Sequence, residues 1–350
     1  MTLKGHSNHY NVKFLSGYGH SVTVKDSKLI LKDCHDPFTP PSIEEWYPNK
    51  MPYEKIVLSG KGYVSTDALS VLSNHNRNLI LLDISGKPLM FCSPTSGTLS
   101  GTNYRIGQYD TFRDKSKRDY VSRQIVNAKL ESQIKFLKSI DNPEISTIKL
   151  ESHQNSKENT LHLEAVTSRL YFIEFSKLID ERFEFDSRNS PLQVRKNHAS
   201  DVINALLNYG YSVLAGEISK FVNGVGLDAY YGFYHKNHTG FQSLVYDMIE
   251  PFRWMVEYSV WKISDAKSRS RISRKQYAHT RDGRVILEHE LIRKFLEILE
   301  RTFQQERRYY YRHGLKTSDG LKSVQEITVA KITIQNLAEY CLGKEREFKI

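Results

Sequence analysis

The chain has 350 residues and a mass of 40.6 kDa, a length that favours two domains and excludes a small single module. Hydrophobic residues make up 39% and charged residues 26%, and no stretch approaches the ~18 uncharged apolar residues of a membrane span. Fifty Lys and Arg against forty Asp and Glu give a net charge of +10 and a pI near 9.2, which favours a polyanionic partner. A basic surface that serves only solubility is the alternative.

The N-terminus and the cysteines indicate in which cellular compartment the protein is found. The first fourteen residues lack the apolar run of a secretory signal. The three cysteines, Cys34, Cys92 and Cys341, are too few and too scattered to build a disulfide framework or a zinc site alone. We therefore expect a protein of the reducing cytoplasm.

Residues 10–95 predict a β-rich region. Apolar and polar residues alternate at 22–24 and 29–31, and compact apolar runs follow at 55–58 and 79–82. Ser65 precedes an apolar repeat in the position of an N-cap, which predicts a short helix between those two runs. Gly60 and Gly62 lack the spacing and the Lys-Ser/Thr ending of a phosphate-binding loop, so we predict a turn there.

A small, polar, Gly/Ser-rich stretch from Cys92 to Asn103 marks the domain boundary, because the apolar period changes there from two to about 3.6. We predict an α+β multidomain fold: a β-rich dimerisation domain over 1–95, a linker over 96–105 and an all-helical catalytic domain over 106–350. The helices are expected at roughly 118–139, 161–180, 201–222, 241–263, 286–306 and 323–341.

The segment from Asn223 to Arg253 holds the strongest candidates for chemistry. Its glycine-rich loop delivers His235, and Asp247 and Glu250 then share one face of a helix. Pro251 kinks that helix or begins a new one, and it deprives the Asp247 carbonyl of its usual partner. An imidazole with two carboxylates suits Mg²⁺ or Mn²⁺ better than zinc and implies phosphoryl transfer. From spacing alone, a solvated acidic face remains open.

Two further residues belong to this hypothesis. His238 could compete with His235 as a ligand or be a solvated loop residue. Glu164 lies in a predicted helix whose buried face is formed by other, apolar residues, so its carboxylate is not needed for packing. It is therefore a third carboxylate candidate for the site. Its plain alternative is an exposed helical glutamate.

The stretch 262–284 carries eight Lys or Arg against two Asp and is a candidate for phosphate contact. Its densest part contains Arg269, Arg271, Arg274 and Lys275, which we predict to bind DNA without reading sequence. A solvated loop is the alternative. A second basic segment, 307–312, could stack bases or cap the helix before it.

Several of these segments together resemble the CRISPR adaptation integrase family, the Cas protein numbered one. A pattern close to E-x-x-x-A-x-x-Y is matched by Glu164, Ser168 and Tyr171, with serine in place of alanine. A D-x-x-N-A-L-L-x-x-G-Y pattern is matched from Asp201 to Tyr211. The G-L-D-P-x-x-G-x-x-H loop is matched from Gly226 to His235, with Ala229 in place of proline. S-L-V-x-D-x-x-E-P-F-R is intact from Ser243 to Arg253, and IVNAKLESQ, 125–133, resembles the helix after the family's linker.

The resemblance implies a metal-dependent DNA integrase and endonuclease. It implies metal ligation by Glu164, His235 and Glu250, with Mg²⁺ or Mn²⁺ as the cofactor and Asp247 as a nearby catalytic acid of less certain role. The implied reaction is attack of a DNA 3′-hydroxyl on a target phosphodiester, which inserts short fragments into a CRISPR array. Double-stranded DNA, a second copy of the chain and a companion, the second Cas protein, are the implied partners.

Two other functions remain open. A casposon integrase shares the catalytic domain and inserts a mobile element instead. The region after Arg307, with room for about one helix and no clear helix-turn-helix, favours the CRISPR function. A non-catalytic DNA-binding scaffold would have lost a ligand, whereas Glu164, His235 and Glu250 are all present. The target sequence, the fragment length and the preferred metal are not determined by the sequence.

Overall fold

A six-stranded mixed sheet forms the first part of the chain and most of the remainder is helical, which confirms the predicted α+β class. This computed structural model describes residues 12–34, 39–53, 55–75, 77–83, 88–92, 101–154, 156, 158–188, 199–265, 272–281, 283–310 and 321–350. The strands are β1 Val12–Lys25, β2 Lys28–Asp33, β3 Ser42–Trp46, β4 Lys55–Val64, β5 Asn78–Leu82 and β6 Pro88–Cys92. Their order is β3-β2-β1-β4-β5-β6, and β4 runs parallel to both of its neighbours.

Gly60 and Gly62 lie inside β4, so the predicted turn at these residues is wrong. There β4 runs beside an irregularity of β1 between Tyr18 and His20. A Cβ on Gly60 would stand 2.5 Å from the carbonyl oxygen of Gly17, and one on Gly62 would overlap the backbone of His20. Glycine is required at both positions because the two strands approach too closely for any side chain.

The first helix, α1 Thr66–Asn74, begins where the sequence predicts it. The side chain of Ser65 accepts a hydrogen bond from the backbone N–H of Ala68, as an N-cap does. Ala68 and Leu72 then bury against one face of the sheet. That face contributes alternate residues of the strands, including Leu15, Leu29, Leu31, Ile56, Leu58 and Leu79.

The opposite face of the sheet is covered by the helical region. Phe14, Val57, Ile80 and Leu82 belong to the same continuous core as the buried residues of the helices. Because the predicted dimerisation domain contains compact apolar runs at 55–58 and 79–82, we expect these runs to supply its contact surface; the structure instead buries them largely on both faces within one chain. Exposed apolar side chains occur instead on the edge strands β3 and β6, at Ile43, Leu89 and Met90.

Nine further helices follow the sheet in the described part of the chain. They are α2 Gly101–Arg113, α3 Lys115–Lys138, α4 Ile148–Glu151, α5 Thr160–Ser176, α6 Val202–Val225, α7 Ser243–Ile249, α8 Trp254–Ser264, α9 His289–Phe303 and α10 Glu326–Cys341. The central one is α6, which buries residues on all of its faces and begins at the N-cap Asp201. It packs against α7, α8 and α10.

The second region is not entirely helical, in contrast to the prediction. Two short antiparallel hairpins interrupt it, β7 Tyr277–His279 with β8 Val285–Leu287 and β9 Glu306–Tyr310 with β10 Leu321–Gln325. Their strands are short and, in β9, basic, so they carry no apolar alternation that sequence analysis could detect. Helix α2 begins inside the proposed linker 96–105, whose residues before Gly101 lie outside the described ranges. The domain limits stay a prediction.

A buried ion cluster joins the sheet to the helices. The ammonium of Lys55 in β4 lies 2.8 Å from a carboxylate oxygen of Glu300 in α9 and 3.5 Å from one of Glu217 in α6. All three side chains are almost fully buried, and the ring of Phe303 lies 5.1 Å from the same ammonium. One lysine therefore contacts two carboxylates that are almost completely removed from water.

We predict that Lys55→Met strongly destabilises the fold. The change leaves two buried carboxylates without their cation, and breaking a buried ion pair in this way costs about 3–5 kcal/mol. Denaturant unfolding followed by circular dichroism measures the loss. Lys61→Met, on the exposed part of the same strand, is the matched control and should cost little. Equal stabilities of the two variants would contradict the role of the ion cluster.

Candidate active site

The loop between α6 and α7 is folded around the carboxylate of Asp247. This side chain is completely buried in α7 and accepts hydrogen bonds from the backbone N–H groups of three successive loop residues, at 2.5 Å from Phe233, 3.0 Å from Tyr234 and 2.8 Å from His235. Such an arrangement fixes both the loop and the direction of its side chains. Asp247 is thus an anchor for the loop, with both oxygens occupied.

The glycine of the loop motif is required by this contact. A Cβ on Gly232 would lie 2.7 Å from a carboxylate oxygen of Asp247 and 2.7 Å from the backbone of Ser243. The N–H of Gly232 donates to the Ser243 hydroxyl at 2.8 Å, and that hydroxyl donates to the Tyr230 carbonyl at 2.7 Å. The loop therefore packs directly on the first turn of α7.

His235 is oriented by the same carboxylate. Its Nδ1 lies 2.8 Å from Oδ1 of Asp247, so the ring nitrogen Nε2 is the one that a ligand can reach. Burial lowers the pKa of His235, but the hydrogen bond to Asp247 and the charges of Asp247 and Glu250 outweigh that effect. The pKa of His235 lies above its ordinary value of 6.5.

The helix break at Pro251 is confirmed. Helix α7 ends at Ile249, a 3-10 turn covers Glu250–Phe252, and α8 begins at Trp254. Pro251 has no N–H to donate to the carbonyl of Asp247, so that carbonyl loses its usual partner. It accepts the N–H of Glu250 instead, in the tighter turn. This turn carries Glu250 away from the face of Asp247 and towards α3.

Glu250 and Glu164 meet at one lysine, Lys129 of α3. The Lys129 ammonium lies 2.5 Å from Oε1 of Glu164 and 2.7 Å from Oε2 of Glu250. Lys129 and Glu250 are buried, whereas about a quarter of the Glu164 side chain is exposed. The structure therefore brings together two carboxylates from α5 and the 3-10 turn that are far apart in the sequence.

Both carboxylates are held in the charged form. Burial raises the pKa of Glu250, but the charges of Arg253 and Lys129 outweigh it and bring the pKa to about 2. Burial likewise raises the pKa of Glu164, and the charge and hydrogen bond of Lys129, with a hydrogen bond from Ser168, bring it below its ordinary value. The serine that replaces alanine in the motif thus contacts the candidate ligand.

A buried network supports this site from beneath. Arg253 donates to Oε1 of Glu250 at 2.8 Å, and its guanidinium lies 4.1 Å from the ring of Tyr211. The hydroxyls of Tyr211 and Tyr171 both donate to Glu257, at 2.8 and 2.7 Å. The tyrosines of the two motifs therefore share one buried carboxylate.

Sequence reasoning missed two contacts of Glu164. The first is with Lys129, which lies in 125–133, a segment that the sequence analysis notes only for its resemblance to the family. A lysine placed among the buried residues Ile125, Val126 and Leu130 was the one sign in the sequence of a buried charge. Tyr234, next to His235, also lies close enough to Glu164 for that carboxylate to raise the pKa of its hydroxyl, after the larger effect of burial. Each contact joins two elements that are far apart in the sequence, so the spacing of residues along the chain could not predict it.

The donor set of the site suits a hard divalent ion. Glu164 and Glu250 already share one cation, the Lys129 ammonium, and the charges of Glu250 and His235 are close enough to act on each other's pKa. Oε2 of Glu250 has no other partner among the described residues. As they stand, no three His, Cys, Asp or Glu side chains of those residues converge closely enough to hold a metal. A divalent ion would therefore have to take the place of the ammonium.

The remaining predicted residues contact none of the candidate ligands in the described ranges, or lie outside those ranges. His238 stacks on Phe241 at 4.6 Å and is exposed, which agrees with a loop residue. Arg274 and Lys275 are exposed in a short 3-10 turn, whereas Arg269 and Arg271 lie outside the described residues. Arg307 of the second basic segment contacts Glu326 at 3.3 Å. In the described part of the chain, no helix is long and apolar enough to span a membrane.

Comparison with known proteins identifies relatives over most of the chain. The family described as CRISPR associated protein Cas1 matches residues 14–301. A CRISPR-associated endonuclease Cas1 of Archaeoglobus fulgidus is 26% identical over 267 residues, which cover 69% of this chain and 74% of that protein. Another from Thermodesulfovibrio yellowstonii is 27% identical over 278 residues, covering 73% and 82%.

Solved structures agree with these relatives. A casposase bound to integration product is 26% identical, has a TM-score of 0.83, and is matched over 97% of this chain and 92% of that one. A Cas1 protein from Thermotoga maritima shares the fold with a TM-score of 0.75 at 17% identity, over 97% and 99% of the two chains. A chain from a Cas6-RT-Cas1–Cas2 complex shares it at 0.73 and 17% identity, over 100% of this chain and 37% of that one.

We predict that Asp247→Asn lowers both the stability of the fold and the pKa of His235. The carboxamide NH₂ cannot accept a hydrogen bond, so at least one buried loop N–H loses its acceptor, at a cost on the order of 1–3 kcal/mol. The imidazole also loses the negative charge that raises its pKa. Thermal unfolding and an NMR titration of His235 measure the two effects. The exposed Asp110→Asn is the control, and an unchanged His235 pKa in Asp247→Asn would refute the contact.

Proposed function

The chain belongs to the CRISPR-associated Cas1 family of DNA integrases and endonucleases, and we propose that it cuts and joins DNA with a divalent ion held by Glu164, His235 and Glu250. The reaction is attack of a DNA 3′-hydroxyl, or of water, on a phosphodiester. Its product in CRISPR adaptation is a short fragment inserted into the repeat array. Mg²⁺ and Mn²⁺ are the ions that two carboxylates and one imidazole suit best.

One observation supports this proposal: Glu164 and Glu250 share a single buried cation, and His235, whose ring contacts Asp247, is close enough to Glu250 for that charge to raise its pKa. Carboxylates that stay charged are ready ligands, and the Asp247 contact occupies Nδ1 of His235 and leaves Nε2 for an ion. When bound there, a divalent ion supplies positive charge to the phosphodiester oxygens and the leaving oxygen. Arg253 holds Glu250 in place from the opposite side.

The protonation state of His235 sets the direction of the pH dependence. Only the neutral imidazole can bind a metal, and Asp247 and Glu250 keep the proton on the ring to a higher pH than usual. Protons therefore compete with the metal for His235 at a higher pH than for an ordinary imidazole, and activity falls as the pH is lowered.

We propose double-stranded DNA, as fragment and as target, for the substrate. The net charge of +10 favours it, and the exposed Arg274 and Lys275 lie a short distance along the chain from α8, which follows Glu250 directly. A companion of the Cas2 kind is the proposed partner, because a relative of this fold is found in a Cas1–Cas2 complex.

A casposase is the second candidate, and the likeness to the casposase structure favours it. The described residues after Arg307 form one hairpin and the single helix α10, without a helix-turn-helix in those ranges. The genomic neighbourhood separates the two functions. A repeat array with a companion gene supports CRISPR adaptation, and terminal inverted repeats with a polymerase gene support the casposase.

We predict that Glu164→Ala, His235→Ala and Glu250→Ala each abolish strand transfer on branched DNA with Mn²⁺. Each change removes a ligand and leaves the phosphate-contacting cations, so DNA affinity should largely persist. Gel assays of strand transfer and of DNA binding give the two measurements. His238→Ala is the matched control and should retain activity. Full activity of any two ligand variants at saturating Mn²⁺ would overturn the assigned site.

We predict that neutralising the basic stretch weakens DNA binding without changing sequence preference. Replacing Arg269, Arg271, Arg274 and Lys275 by alanine should reduce the slope of log affinity against log salt by about 0.9 for each lost phosphate contact. A control variant with the same change of net charge replaces the exposed residues Lys50, Lys138, Lys149 and Lys344. If both variants keep the salt slope, the DNA path lies elsewhere, and 307–312 is the next segment to test.

We propose a homodimer formed through the N-terminal sheet. Residues 55–58 and 79–82 of its interior strands are largely covered on both faces, and we place the contact at exposed apolar side chains of the edge strands, Ile43, Leu89 and Met90. Light scattering at micromolar concentration should show twice the chain mass. Ile43→Glu with Leu89→Glu should yield a monomer, and a monomeric wild type contradicts the proposal.

A further inference from the structure

Lys129 occupies an unusual position for a lysine. It lies in the middle of α3, only 4% exposed, among the apolar residues of that helix. Its ammonium contacts Glu164 and Glu250 at 2.5 and 2.7 Å, so one positive charge serves two carboxylates from different elements. Lysine is almost never buried unless such partners are present.

The other partners of the two carboxylates do not replace this lysine. Arg253 contacts Oε1 of Glu250, the oxygen that faces away from Lys129. Ser168 and Tyr234 contribute only hydroxyl groups to Glu164. Among the described residues, Lys129 is thus the one cation in contact with both carboxylates.

We propose that Lys129 is the internal counter-ion of the metal site: it holds Glu164 and Glu250 together in the metal-free protein and is displaced when a divalent ion binds. The inference rests on the metal site proposed above. The ammonium contacts the same two carboxylates that the ion requires, so both cannot occupy that position. The failure of three ligand side chains to converge in the described structure agrees with a site held in its lysine-bound form.

Two opposite consequences follow for a protein without this lysine. Without metal, two charged carboxylates face each other with no cation between them, and the fold loses stability. With metal, the ion no longer has to displace an ammonium, and it binds more tightly. A lysine with a purely structural role would give the first effect and not the second.

The experiment uses the full chain with Lys129→Met, which keeps the length of the side chain and removes its charge. Without metal, its melting temperature should fall by roughly 5 °C or more relative to the wild type. Titration with Mn²⁺ alone, by calorimetry, should give an affinity about tenfold tighter than that of the wild type. The stabilisation by Mn²⁺ in thermal unfolding should be correspondingly larger. Lys138→Met, at an exposed ion pair of the same helix, is the matched control and should behave as the wild type.

The outcomes separate this inference from the proposed function. If Mn²⁺ stabilises the wild type and Lys129→Met equally, the counter-ion role is overturned and the metal site stands. If Mn²⁺ neither binds nor stabilises the wild type, the metal site itself is overturned, and the inference with it. Tighter Mn²⁺ binding together with lower metal-free stability supports both.

A second variant covers the case in which Lys129→Met does not fold. In the double variant Lys129→Met with Glu164→Gln, one carboxylate is neutralised along with the lysine, and the repulsion disappears. The metal-free double variant should melt within a few degrees of the wild type. If it is as unstable as Lys129→Met, the lysine acts through packing, and the counter-ion role is refuted.

Discussion

The geometry of the site depends on one buried carboxylate, that of Asp247. A charged group without water must be satisfied completely, and here three successive backbone N–H groups and one imidazole meet that requirement. The loop has no regular secondary structure of its own, so this carboxylate accepts the backbone hydrogen bonds that a neighbouring strand would accept in a sheet. The position of His235 is consequently a property of α7, and α7 leads directly into the turn that carries Glu250.

The motif residues around the site form one electrostatic assembly rather than separate ligands. Glu250 is kept charged by Arg253, whose guanidinium packs on the ring of Tyr211. Tyr211 in turn donates to Glu257, which also accepts a hydrogen bond from Tyr171. Burial raises the pKa of the Glu257 carboxylate above its ordinary value. Removing Tyr211 would therefore disturb the surroundings of Arg253, the cation that keeps Glu250 charged. This explains in physical terms why tyrosines stand at fixed distances from Glu164 and Asp201 in the sequence.

The sequence predicted those parts of the structure that local chemistry determines. The N-cap at Ser65, the helix break at Pro251 and the long apolar helix α6 all follow from residues within one or two turns. The meeting of Lys129 with Glu164 and Glu250 could not be predicted, because it depends on how three separate elements pack. The sequence predicted a turn at the glycines of β4, because the feature that requires glycine there is the close approach of a neighbouring strand, which the local sequence does not show. The sequence did not predict hairpin β9–β10 because its strands, ERRYY and LKSVQ, are largely polar and show no apolar alternation.

The charge balance of the site bears on the proposed exchange of Lys129 for a divalent ion. Asp247, Glu164 and Glu250 contribute three negative charges, and Lys129 and Arg253 contribute two positive ones, so the cluster with a neutral His235 is negative by one. Under the exchange proposed above, a divalent ion would replace the Lys129 ammonium, and its two charges together with that of Arg253 would balance the three carboxylates. A buried site does not tolerate an uncompensated charge, so the exchange would be favoured because it removes the one net negative charge that the site carries with Lys129. On that proposal, Lys129 keeps the two carboxylates in place until the ion arrives, and the ion then supplies the positive charge that one lysine lacks.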